Sequence, residues 1–180
     1  MTLGEMKQKV YALIEEYSED NDDLTEDEDL AGKFNFVANQ IQNELCRFKK
    51  IPEFTELNVT EGQTMNFNEI DKDLYQLDLI RGVEYDIKNN RIKFDEDGTA
   101  EIHYFKYPKN IEAETEDEYK FELTNDLLEI MPYGIAADLL KSDVSSQYGS
   151  VYAARYREML QNLDPRYGTG TIEFTGGMEL

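Results

Sequence analysis

The chain has 180 residues, with 18 Lys or Arg against 39 Asp or Glu, a formal net charge of −21. That length suits one domain or one domain with an insertion, and a hydrophobic fraction of 40% still supplies a core. One Cys and one His exclude an internal disulfide framework and a structural zinc site built within one chain, and the charge argues against binding through nucleic-acid phosphates.

The N-terminal MTLGEMKQKV has no basic leader followed by an apolar stretch, so no signal peptide is expected. No apolar run approaches the roughly 18 residues of a membrane helix, and no membrane partner is expected. Residues 2–17 predict an amphipathic helix, because Leu3, Met6, Val10, Leu13, Ile14 and Tyr17 recur at spacings of three and four. Thr2 and Glu5 have capping-box spacing. Residues 18–24 predict an acidic loop. A second helix follows over 26–50, with Thr25 and Glu28 as its capping box. Its stripe is Leu30, Phe34, Val37, Ile41, Leu45 and Phe48. Acids open it, Arg47, Lys49 and Lys50 close it in keeping with the helix dipole, and Pro52 stops it.

From about 54 to 108 the period changes from 3.6 to 2. Strands are expected at 54–60 and 63–67 around the hairpin turn Glu61-Gly62, then at 74–80 and 83–88. Asn89-Asn90 turns into 91–95, and Asp97-Gly98 is the strongest turn signal, leading into 99–107. Together these predict one small antiparallel sheet of five or six strands. Residues 109–120 predict an acidic loop. Thr124 caps a helix in which Pro132 forces a kink or a restart, and Ser142–Ser146 is a break. The last helix, 147–163, places Tyr148, Val151, Tyr152, Arg155, Met159, Leu160 and Leu163 on one side. Asp164-Pro165 ends it, and a Gly-rich tail with one short β-like run, Thr171 to Phe174, follows.

The expected class is α+β: a helical bundle from the N- and C-terminal helices, an inserted small antiparallel β-sheet, and an extended C-terminal tail. The segments are 1–52 (N-terminal helices), 53–110 (β region), 111–164 (C-terminal helices) and 165–180 (tail). No catalytic, cofactor or metal residues are assigned. The acids of 15–29 fail the calcium-loop pattern, since counting from Asp20 puts Leu24 fifth and Thr25 where Gly belongs. Asp95-Glu96-Asp97-Gly98 fails too, because Lys93 would fall at a ligand position, and a hairpin turn explains the same residues. His103 lacks a recognisable nucleophile and orienting partner, which leaves a sheet-surface residue. Cys46 has a cation beside it, Arg47, but apolar neighbours in Leu45 and Phe48. Tyr104, Phe105 and Tyr107 lack the basic surround of a base-stacking platform.

The run LTNDLLEIMPYGIAADLLKSDVSSQYGSVYAARYREMLQNLD, Leu123 to Asp164, resembles the C-terminal part of tailed-bacteriophage head–tail connector (adaptor) proteins. There a helix with a Pro and small residues passes through a polar break into a Tyr/Arg-rich, then Leu-rich helix. The N-terminal half, with FVANQIQNELCRFKKI on its long helix, is similar in kind. The inserted sheet is similar to the larger connectors of the tail tubular protein A type. The resemblance implies a structural virion protein at the neck, made in the bacterial host cytoplasm. It would be a homo-oligomeric ring of about a dozen copies between the portal protein and a tail, stopper or tail-completion protein, with DNA passing through without specific binding. Thr171, Ile172, Glu173 and Phe174 are the candidate partner-binding residues, adding a strand to a neighbour's sheet edge. Two other classes compete: an acidic DNA mimic that inhibits a nucleic-acid-binding host enzyme, and a hydrolase using paired carboxylates.

Overall fold

The computed structural model describes residues 1–15, 28–142 and 148–163. Thr25, the acidic segment 16–27, the break at 143–147 and the tail 164–180 lie outside the described residues, so the second capping box is not tested.

Helix α1 (Leu3–Glu15) opens as its sequence requires. The Thr2 N–H donates to Glu5 Oε2 at 2.8 Å, and the Glu5 N–H donates to Thr2 Oγ1 at 3.2 Å. Leu3, Met6, Val10 and Ile14 are buried along one face. Helix α2 (Glu28–Leu45) buries Phe34, Val37, Ile41 and Leu45. It ends earlier than Pro52. At 46–48 the chain tightens into i→i+3 bonds, Arg47 N–H to Glu44 O and Phe48 N–H to Leu45 O, and Phe48 is left exposed. Pro52 instead lies in the strand β1 (Ile51–Val59) opposite Phe105. β1 is a sheet edge, where the missing N–H of a proline is tolerated.

The remaining strands are β2 (Thr64–Asn66), β3 (Leu74–Arg81), β4 (Tyr85–Lys88), β5 (Arg91–Phe94) and β6 (Gly98–Lys106), with the single-turn helix α3 (Phe67–Ile70) between β2 and β3. They form two antiparallel sheets of three strands, in the orders β1–β6–β3 and β2–β5–β4. The expectation of one inserted sheet in a helical bundle is therefore corrected. Among the described residues the architecture is mixed α/β: two three-stranded antiparallel sheets and five helices, with a β core of its own. That core takes Val59, Ile80, Ala100, Ile102 and Tyr104 from the first sheet and Ile92 and Phe94 from the second.

The physical reason lies in the turns. Among the described residues only Asn89-Asn90 closes a two-residue hairpin; both residues have positive φ (54° and 59°), as a tight β4–β5 turn demands. Glu61-Gly62 does not pair β1 with β2, which lie in different sheets. Asp97-Gly98 likewise carries the chain from β5 in one sheet to β6 in the other. Gly82 (φ 88°) turns β3 toward β4 and packs so tightly that a Cβ there would lie 2.4 Å from Thr99 O. Register shifts in β3 between Leu74 and Gln76 and between Leu77 and Leu79 bend that edge.

Helix α4 (Asn125–Leu139) continues through Pro132 and packs against α1, α2 and α5 (Tyr148–Gln161). It is buried on most sides, from Leu127 to Leu139. A short 3₁₀ turn, Leu140–Ser142, follows it. The buried face of α5 is Gly149, Tyr152 and Tyr156, whereas Val151, expected inside, is exposed. Gly134 makes the contact close: a Cβ there would sit 2.9 Å from the Tyr156 ring.

The bases after α2 join the two halves. Lys49 pairs with Asp126 at the start of α4, Lys50 donates to Gln76 Oε1 at 2.8 Å, and Arg47 donates to the Tyr107 hydroxyl. Burial alone would raise the Asp126 carboxyl, but bonds from Lys49 and Thr124 outweigh it and hold it below the ordinary carboxylate range. A carboxyl depressed in the folded state adds stability above its unfolded value, about 3.9, and that contribution is lost as pH falls through the lower folded value. Asp126→Asn is expected to lower the urea midpoint at pH 7, and the gap to the parent chain is expected to narrow below about pH 4. A gap that does not change between pH 7 and pH 2.5 would rule this out.

Candidate functional site

The expected partner-binding residues, Thr171, Ile172, Glu173 and Phe174, lie outside the described residues, as does the acidic cluster before α2. The other singled-out residues are placed. Cys46 is buried, and burial pushes its thiol up to about 11, with Arg47 pulling weakly the other way. It is a core thiol, far from the reactive thiolate range. His103 stands on the outer face of β6, bonded through Nε2 to Glu101 Oε1 at 2.5 Å and stacked on Phe54 with ring centroids 5.8 Å apart. Its cross-strand neighbours are Phe54 and Leu79, neither a nucleophile.

The turn carboxylates at 95–97 already serve the fold. Asp97 Oδ1 accepts the Glu61 N–H at 2.7 Å, Glu96 Oε1 accepts the Glu84 N–H at 2.8 Å, and Asp95 Oδ1 accepts from Lys93. Among the described residues, no three His, Cys, Asp or Glu are grouped to hold a metal ion. The aromatic run divides. Tyr104 is buried and donates to Asp71 Oδ2 at 2.8 Å, Phe105 lies under Lys50, and Tyr107 meets Tyr75 and Arg47. Asp71 is held below its ordinary range: burial works the other way, but the Asp73 N–H and the Tyr104 hydroxyl outweigh it. A carboxyl acting as general acid needs the opposite shift.

What the structure builds is a set of distinct surfaces. The outer face of β1–β6–β3 is mixed: Phe54, 58% exposed, and Leu79, 37% exposed, flank His103, while Glu56, Glu101 and Arg81 make a neighbouring cross-strand row. The outer face of β2–β5–β4 is basic. Register aligns Asn66, Arg91 and Lys88 in one cross-strand row and Thr64, Lys93 and Asp86 in the next, bordering a depression of about 610 Å³. Arg91 Nε donates to Asn66 Oδ1 at 2.9 Å, which fixes the guanidinium.

The third surface is an acidic strip at 112–118, with Glu112, Glu114, Glu116, Asp117 and Glu118 exposed. The sequence suggests a simple loop there, but three side chains of α2 at helical spacing hold its lead-in. Asn39 clamps Ile111 in both directions: Nδ2 donates to Ile111 O at 2.9 Å, and Oδ1 accepts the Ile111 N–H at 2.8 Å. Asn35 donates to Glu112 O, and Gln42 donates to Lys109 O, both at 3.0 Å. The far end caps α1, where the Leu3 and Gly4 N–H groups donate to Tyr119 O and Asp117 O. The signal for this clamp was the i, i+4, i+7 spacing of Asn35, Asn39 and Gln42 beside the apolar stripe, which periodicity alone reads as solvent face.

No protein-family model matches the chain, and no curated protein matches it either.

Asn39→Ala is expected to leave the buried Ile111 N–H without its acceptor and to cost about 1–3 kcal/mol in urea unfolding. Faster amide exchange should be confined to 109–119. Exchange unchanged in that segment would contradict the clamp.

Proposed function

We propose that the chain is a structural subunit of a tailed-phage neck, an adaptor that assembles with copies of itself between the portal and the tail. The reading is carried by the run Leu123–Asp164, whose pattern resembles the connector family. In this chain that run makes α4 and α5, packed at Gly134 and Tyr156 around the core shared with α1 and α2. The likeness to the tail tubular protein A type rested on one inserted sheet and is not carried forward. Surfaces of unlike chemistry on one chain suit the heterologous contacts from which rings close. In this reading residues 171–174 add a strand to a neighbouring protein, and the acidic surface lets DNA pass without adhering.

The test is composition of particles. Virions purified on a density gradient from the source culture are expected to contain this chain at a few to about a dozen copies each. A chain abundant in the lysate but absent from particles would sink the reading and send attention to inhibition of a DNA-binding enzyme. Removing 166–180 is expected to leave the circular dichroism and melting transition unchanged while abolishing incorporation. Normal incorporation of the truncated chain would exclude a role for 171–174.

A further inference from the structure

The hairpin β4–β5 is locally basic. In a protein of net charge −21, its ten residues from Tyr85 to Phe94 carry Lys88, Arg91 and Lys93 against Asp86. The alternation of the strands turns all four to the outer face, where all are exposed, while Ile92 and Phe94 enter the core. Of these cations, Lys93 is engaged with Asp95 at 2.5 Å and also feels the charges of Asp86 and Glu61, and Arg91 uses one of its five N–H donors on Asn66, which leaves Lys88 and Arg91 as the main donors of the face. Thr64 and Asn66 add neutral polar groups in the same two rows.

We propose that this face binds the 112–118 strip of a second copy of the chain. The strip offers five exposed carboxylates with no cation between Glu112 and Glu118. It is already held by Asn35 and Asn39 on α2 and by the start of α1, so little conformational freedom is lost on contact. Asp117 is partly engaged by Lys7 at 2.8 Å, which leaves the four glutamates as the main partners. Face and strip lie on different parts of the fold, so each copy presents both halves of a head-to-tail contact, which closes into a ring or continues as a filament. A nucleic acid is the less fitting occupant. Three cations with Asp86 among them release few counterions, and the rest of a −21 surface repels a polyphosphate.

The inference rests on the adaptor reading in naming its self-contact, yet it fails separately: particle content is indifferent to which face is used. The experiment is sedimentation velocity of the full chain at several concentrations and salts. Association is expected to be strongest near about 0.15 M salt, where a Debye length of about 8 Å screens net repulsion but leaves paired charges in contact, and to be lost near 1 M. Lys88→Glu/Arg91→Glu/Lys93→Glu is expected to weaken it at least about tenfold. Mixing that variant with Glu114→Lys/Glu116→Lys/Glu118→Lys is expected to restore it, which also shows that both variants are folded. A parent chain that stays monomeric under every condition overturns the inference. So does a triple hairpin variant that associates as well as the parent, or a mixture that fails to associate. Retardation of duplex DNA that the hairpin variant abolishes would reassign the face to nucleic acid.

Discussion

The two halves of the molecule meet at Lys106, the last residue of β6. Its ammonium lies 3.0 Å from Glu122 Oε1 and 3.3 Å from Glu53 Oε2, with the side chain only 13% exposed. Burial alone would lower a lysine here, but Glu122 and Glu53 outweigh it and keep it charged. Glu122 also accepts the Lys109 N–H at 2.8 Å, so one carboxylate fixes both the end of the sheet and the start of the segment that crosses α2. A pair this far out of water is maintained only when its remaining polar groups are satisfied. Everything downstream depends on that exit. The clamp by Asn39, the seat of the strip on α1 and the entry into α4 at Thr124 all follow from where residue 109 is placed.

The division into two sheets has its own cause in the connections. A run of alternating strands joined by short turns suggests a meander, in which each strand pairs with the next. Here only β4 and β5 do so. The other connections cross between sheets, and Gly82 against Thr99 O shows how close the backbones come at one crossing. The outcome is a core shared by Ile92 and Phe94 of one sheet with Ala100, Ile102 and Tyr104 of the other. It also gives two outer faces free to differ in chemistry.

Elements whose signal is local were legible in the sequence. The Thr2–Glu5 box, the buried stripes of α1 and α2, the Asn89-Asn90 turn and the strand positions all follow from residues a few places apart. What was not legible depends on pairing at a distance. The partner of β1 is β6, some forty residues on, and Glu61-Gly62 carries no mark of that choice. The end of α2 was misplaced because Arg47, Lys49 and Lys50 suit a helix terminus, yet each serves another element: Tyr107, Asp126 and Gln76. Tyr156 was passed over in favour of Val151 because α5 is buried on a narrow face, set by Gly134 and not by its own periodicity. Of the surfaces, the hairpin cations were readable singly; their assembly into rows with Thr64 and Asn66 needed the β2–β5 register.

Total charge and charge arrangement have different consequences for such a chain. At physiological ionic strength the potential of a distant charge falls away within about 8 Å, less than the width of a helix with its side chains. A net charge of −21 therefore governs solubility and the response to a polyanion at low salt, while contact between surfaces is decided locally. What matters for contact is that the fold builds two local patches of opposite sign: five acids on the segment seated against α1 and α2, and three cations on the outer face of a hairpin whose inner side is committed to the β core. The crossovers between the sheets are what turn that hairpin's cations outward, so the departure from a simple meander is also the origin of this local basic face on an acidic protein.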